Sequence, residues 1–365
     1  MHSLVRTSPL LPRLCTSCVR LSTTHHARSY AVQAPGQPAA SVFNTEQKTI
    51  QRSRAALNAP LSRQVDYLRD EIATRLVTRL LDINRNYDRV LDYGANACNI
   101  ARILTQPNPD PDSAKPVTAP LSSKISTLVS AEHSHELLYR DSDPTQHPFN
   151  NPSHASGMRL ERHHLSHPET LPFAPSSFDL ILSSLSLHWI NDLPSVLTQI
   201  NHLLKPDCAF LGAMPGGDTL YELRGSLQLA TQERLGGIKS HVSPLADVRD
   251  VGNLLSRAGF KLLTVDVDDI VVSYPDLMAL LRDLNAMGEG NASLRMEKGP
   301  VGRDVLMATE GIYRELYGDE DGGLPATFRT IYMIGWKEGE GQSSPLPRGS
   351  GEVDLKGFLE GGGRP

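Results

Sequence analysis

The run "RVLDYGANACNIARIL", residues 89 to 104, restricts the fold more than any other stretch of the chain. Its first part reads as a short buried strand, Asp92-Tyr93-Gly94 as a sharp turn, and the remainder as the start of a helix. A strand that feeds a helix through a tight glycine turn is the opening unit of a parallel α/β sheet. The runs "KISTLVSAE", "MRLERHHL", "SFDLILSS" and "CAFLGAM" repeat the strand pattern downstream, with helical stretches between several of them. Such alternation predicts an α/β, Rossmann-like sheet, mostly parallel and covered on both faces.

Helical spacing is clearest in two places. Residues 66 to 84 put Leu68, Ile72, Leu76 and Leu80 on one stripe. Residues 192 to 204 open with Asp192 as a cap and Pro194 in the first turn, and stop before a Lys-Pro pair. Thr219 to Glu222 fits a capping box, with Gly216-Gly217 as the turn feeding that helix. Then come a helix, "KLLTVDVDDIVVSY", two more helices and "TFRTIYMIGWK". Inserts near 105–120 and 140–157 are rich in Pro, Asp and Asn and read as surface loops.

The first 45 residues hold no Asp or Glu, while Arg6, Arg13, Arg20 and Arg28 recur among Ser, Thr and Leu, the pattern of a mitochondrial presequence. We divide the chain into a presequence at 1–30, an N-terminal arm at 31–60, a main domain at 61–337 and a disordered tail at 338–365. Removing the presequence takes away four arginines and no acid, so the net charge falls from −5 to about −9. So acidic a protein is a poor partner for a phosphate backbone, and nucleic acid is excluded as a ligand. Cys15 and Cys18 fall inside the presequence. Cys98 and Cys208 alone cannot build a disulfide framework or a four-ligand zinc site. No apolar run approaches the roughly 20 residues a membrane span requires.

Ligands in open α/β sheets sit beyond the strand ends where strand order reverses, which here is the turn after "RVLDY". Gly94 lets backbone approach a ligand there, and Asp92 can accept from an amine. Glu132, at the end of the second strand, is placed to take two ribose hydroxyls, the insert explaining its 40-residue separation from Asp92. Asn96 and Cys98 stand where dinucleotide loops carry glycine, and their Cβ atoms argue against a pyrophosphate. S-adenosylmethionine, which lacks phosphate, is the cofactor such a loop suits, and Asn tolerates the left-handed backbone the turn needs.

The runs "VLDYG", "LVSAE", "LPFAPSSFDLILSSLSLHWINDLPSVLTQINHLLKPD", "GAMPGGDTLYELRGSLQLATQER" and "VDVDDIVVSYPDLMALLRDLNAMGEGNA" resemble a known family. It is that of the mitochondrial complex I assembly factors of the class I methyltransferase superfamily, regarded as arginine hydroxylases. The resemblance runs from about Val42 to Trp336. It implies a seven-stranded methyltransferase fold whose last strand, "RTIYMIGW", is antiparallel. It further implies a matrix location, peripheral to the inner membrane, and action on an arginine of a peripheral-arm subunit of complex I. The family's D-x-G-C-G-x-G is here Asp92-Tyr93-Gly94-Ala95-Asn96-Ala97-Cys98, keeping one glycine. Where an acid often meets the adenine amine, Ser166-His167 stands, so His167 takes that position.

Ser184 and the "LHW" that follows the fourth strand lie beside the methyl-donor pocket. His188 is read either as a base or orienting group or as a backbone cap, and Trp189 either as a platform for a guanidinium or as core. No H-x-D iron triplet, P-loop or Ser-His-Asp elbow occurs, and the single H-x-E is His167-Pro168-Glu169. Two other readings stay open. One is a non-catalytic assembly chaperone. The other is a malonyl-carrier-protein O-methyltransferase-like enzyme.

Overall fold

The computed structural model describes residues 41–106, 120–145, 147–150, 157–237, 239–294 and 301–342. The presequence at 1–30, residues 31–40 of the arm, most of the insert near 105–120, part of that near 140–157 and the tail from 343 onward lie outside them. The strands are β1 (Tyr87–Tyr93), β2 (Ile125–Glu132), β3 (Arg159–His164), β4 (Phe178–Ser184), β5 (Leu204–Pro215), β6 (Phe260–Tyr274) and β7 (Leu324–Lys337). They form one sheet in the order β3-β2-β1-β4-β5-β7-β6. The pairs among β1 to β5 are parallel, whereas β7 runs antiparallel to both β5 and β6. The expected Rossmann-like, seven-stranded methyltransferase fold is therefore the one observed, down to its reversed last strand.

The helices are α1 (Thr45–Leu57), α2 (Ala59–Gln64), α3 (Tyr67–Thr78), α4 (Asn99–Leu104), α5 (His135–Tyr139), α6 (Leu193–Leu203), α7 (Tyr221–Leu235), α8 (Val248–Arg257), α9 (Leu277–Ala286) and α10 (Arg303–Tyr317). Alternation along the strands divides the core in two. Val90, Leu128, Leu180 and Leu182 face one way and meet Leu68, Ile72 and Leu76 of α3 and Ile100 of α4. Leu91, Val129 and Ile181 face the other way, against Val196, Leu197 and Ile200 of α6 and Val251 and Leu255 of α8. Each fully buried Leu or Ile in these layers contributes about 2 kcal/mol of apolar transfer. Among the described residues, no helix is long and apolar enough to cross a membrane.

Asp192 caps α6 as expected, its side chain accepting from the Ser195 N–H at 3.1 Å. The capping box at Thr219 does not form. Leu220, in the left-handed region at φ 54°, is the residue that opens α7, and no side chain caps it. Thr219 Oγ1 instead donates to the Arg329 carbonyl at 2.7 Å, and Glu222 accepts from the Thr327 hydroxyl and N–H. A neighbouring strand offered both side chains better partners than the helix's own N–H groups. Residues 41–60, read as an arm, pack with the rest of the chain. Asn44 donates its N–H to the Ala292 carbonyl, and the Val42 and Phe43 N–H groups both reach Asn191 Oδ1 at 2.8 Å.

Candidate active site

Glu132 ends β2 with its carboxylate aimed into the turn after β1. Oε1 accepts from the His133 and Ser134 N–H groups, and Oε2 accepts from the Asn96 N–H at 2.9 Å. Asn96 sits at φ 52° and Cys98 at φ 59°, so both residues that replace glycine adopt the left-handed backbone the loop demands. Neither obstructs the space in front of Glu132. Asn96 turns its amide inward and donates to the Gly94 and Ser184 carbonyls. The Cys98 thiol points into the core beside the Leu138 carbonyl, where burial pushes its pKa up to about 11. Gly94 has φ 69°, and a Cβ there would collide with the Ser186 side chain. The packing of Ser186, whose hydroxyl donates to the Gly94 carbonyl at 2.8 Å, accounts for this glycine without a ligand.

What fills the space is Arg52, from α1. Its side chain is 1% exposed, and its NH2 group donates to Glu132 Oε2 and Asn96 Oδ1, both at 2.9 Å. Its guanidinium carbon lies 5.5 Å from the centre of the Trp189 ring, and NH1 reaches Glu289 Oε1 at 3.5 Å. Arg52 Nε is buried without a partner. Lys48, one turn earlier, donates to Glu289 Oε2 at 3.2 Å and to the Gly290 carbonyl at 3.1 Å. Gly288 allows this close packing of α1: at φ 74°, a Cβ would stand 3.0 Å from the Arg52 Cα.

Glu289 gathers the rest. His188 Nε2 lies 3.2 Å from its Oε2, and Arg69 lies 4.0 Å from its Oε1. Burial alone would raise the Glu289 pKa, but Lys48, His188 and Arg52 more than offset it and hold the carboxyl well below its ordinary range. Burial lowers the pKa of His188, against the opposing pull of Glu289, and His188 Nδ1 and Trp189 Nε1 are left unpartnered. Asp92 is fully buried, and both its carboxylate oxygens lack partners. Desolvation first, then the Glu132 charge, raises its pKa well above the usual value.

His188 and Trp189 also line a cavity of about 530 Å³, walled by Leu68, Leu223, Leu281, Leu284 and Phe328. Glu289 is the one acid among its described lining residues. The sequence-predicted residues thus fall into two groups. Asn96, Glu132 and Trp189 meet at Arg52, and His188 joins them through Glu289. Ser184 serves through its carbonyl, and His167 is exposed, its Nδ1 accepting from the Glu169 N–H at 3.2 Å. Sequence reasoning missed Arg52, Lys48 and Glu289. The signal for the first two was an i, i+4 stripe of Lys48, Arg52 and Ala56, buried although two of its three members are charged.

The strand order, the reversed β7 and the acids ending β1 and β2 define the class, a methyltransferase-domain protein, and residues 65–265 match the family model of the methyltransferase domain. Over 353 residues the chain is 42% identical to "Arginine-hydroxylase NDUFAF5, mitochondrial" of Mus musculus, covering 96% of this chain and 94% of that one. The chain belongs to that family. A malonyl-[acyl-carrier protein] O-methyltransferase of Laribacter hongkongensis is 37% identical over 171 residues, covering 46% of this chain and 54% of the other. Among solved structures, the YcgJ protein of Bacillus subtilis covers 72% of this chain and 97% of its own, with a TM-score of 0.46 and 14% identity.

Proposed function

We propose that this protein binds S-adenosylmethionine at the end of β1 and modifies an arginine side chain on a subunit of mitochondrial complex I. The observation that carries the reading is that a guanidinium already lies in the site, bonded to Glu132 and Asn96 and set against Trp189 and Glu289. The naming of the curated relatives supports arginine as target and hydroxylation as outcome. The acid-free N-terminal segment supports a mitochondrial address; a place on the matrix side, peripheral to the inner membrane, is part of the same proposal and rests on the resemblance.

The residues present fit the cofactor. Asp92, buried with both oxygens unpartnered, would accept the cofactor's amine, and an arriving cation would remove the cost of its isolation. Glu132 would accept the ribose hydroxyls on the oxygen that Arg52 now holds. When bound, S-adenosylmethionine would supply an electron-poor methyl on a sulfonium, which serves methyl transfer; hydroxylation would draw its oxygen from dioxygen, with a reductant supplied from outside the site. His188, kept neutral by burial and donating Nε2–H to Glu289, leaves Nδ1 as the acceptor that can take a proton, and Trp189 offers its face to a planar cation.

The test is mass spectrometry of complex I subunits from cells lacking the protein. One arginine, heavier by an oxygen atom in wild-type cells, is expected to lose that mass on deletion and to regain it on complementation. It should stay unmodified with Asp92→Ala or Glu132→Ala. Identical arginine masses in both strains would refute the reading. A methylene's mass in place of the oxygen would assign methyl transfer.

A second reading, an assembly chaperone without catalysis, draws on Arg52, which takes the Glu132 oxygen a cofactor needs. It predicts full complex I assembly with the Asp92→Ala, Glu132→Ala double variant.

A further inference from the structure

We propose that Glu289 is the seat of the target guanidinium and that Arg52 is its internal stand-in, exchanged out when cofactor and target bind. The proposal rests on the reading above and adds a binding residue and an order to it.

A buried guanidinium needs a carboxylate, and the large cavity beside the Glu132 turn offers only Glu289 among its described lining residues. The apolar walls suit the methylenes of an arginine stem, while His188 and Trp189 stand next to the carboxylate. Arg52 does not line the cavity. It reaches Glu289 from the Glu132 side, at 3.5 Å through NH1, while its two 2.9 Å bonds go to Glu132 and Asn96. Its hold on Glu289 is thus the weakest of its polar contacts, and Nε makes none.

The other cations near Glu289 have anchors of their own. Lys48 donates to the Gly288 and Gly290 carbonyls, and Arg69 to the Met287 carbonyl and to Asp66. Both stay in place if Glu289 turns to a new partner. Arg52 is different, because its main acceptor is the carboxylate a ribose would claim. A ribose that takes Glu132 removes the main acceptor of Arg52, which withdraws with α1 and frees Glu289. That withdrawal is linked thermodynamically to the cavity, so cofactor and target must each raise the other's affinity by the same factor.

Titration calorimetry of the full chain with N-acetylarginine methylamide tests this, with S-adenosylmethionine absent and then saturating. Arg52→Ala is expected to tighten probe binding about tenfold without cofactor, and S-adenosylmethionine to tighten it similarly in the wild type. Adding Glu289→Gln to Arg52→Ala should abolish the gain while leaving the S-adenosylmethionine affinity of Arg52→Ala unchanged, which a general loss of structure would not do. Should Arg52→Ala fail to fold, Arg52→Gln keeps a side chain of similar reach without the charge. Unchanged or weaker probe binding in the Arg52 variant overturns the proposal. So does a double variant that binds as tightly as Arg52→Ala alone. Cells carrying Glu289→Gln separate the two claims. A fully modified arginine there removes the seat and keeps the function, whereas unmodified arginines in wild-type cells remove the function.

Discussion

Asp92 stands in β1 as a carboxylate with no hydrogen-bond partner on either oxygen, and the nearby Glu132 charge adds to its isolation. A buried, unpaired charged group costs more than a buried neutral amide of the same shape, by about 2 kcal/mol after partial relaxation. Asp92→Asn is therefore expected to stabilise the cofactor-free protein. In a chain of this size that corresponds to a rise in melting temperature of about 3–6 °C. The sign with pH follows from linkage. The folded-state pKa lies above the unfolded one, so the wild type is penalised above the unfolded carboxylate range and recovers as the folded state takes up a proton. The gap between variant and wild type should be widest near neutral pH and close as the solution is acidified. Scanning calorimetry at several pH values measures it. Saturating S-adenosylmethionine should narrow the gap at neutral pH, because its amine partners Asp92 only in the wild type. A melting temperature for Asp92→Asn at or below wild type near neutrality, or a gap that widens in acid, would refute the reasoning.

Other substitutions probe the walls of the site. Gly288→Ala places a Cβ 3.0 Å from Arg52 Cα at φ 74° and should cost about 2 kcal/mol, with faster amide hydrogen exchange confined to α1 and the 288–291 turn. Glu132→Gln leaves Arg52 buried with a weakened partner and should destabilise by about 3 kcal/mol in chemical denaturation, while S-adenosylmethionine binding is lost. Thr327→Val removes the hydroxyl that donates to the buried Glu222 and should cost about 2 kcal/mol by the same assay. Burial depresses the pKa of His188 below its unfolded value, so its neutral form favours folding and stability should fall as pH drops through the ordinary histidine range. His188→Asn should flatten that part of the stability profile.

Much of the fold was legible because its strands are apolar runs of the right length. "LVSAE" and "LILSS" are buried on both faces and read the same with or without their neighbours. The acids at strand ends were legible too, since topology fixes where such ends converge. The lid over them was not. A periodicity search finds apolar stripes, and the buried stripe of α1 is Lys48, Arg52 and Ala56, held by carboxylates and carbonyls far away in sequence. Glu289 lies in a Gly-Glu-Gly turn that carries no helical or strand period at all. Thr219 and Glu222 matched a local motif, but a strand about a hundred residues later claimed both side chains, a competition that no local window contains.

The place of β7 has a consequence for how the molecule is made. It is the last strand among the described residues, yet it lies between β5 and β6, pairing with β6 along most of its length and with β5 through residues 330–336. A chain emerging amino end first can zip β1 through β5 together early, but β6 must wait without a strand partner until residues 324–337 arrive. The chamber that holds Glu289 is therefore completed last, and truncation shortly before Leu324 should leave a soluble half-sheet that keeps the Glu132 turn and has no place for a target.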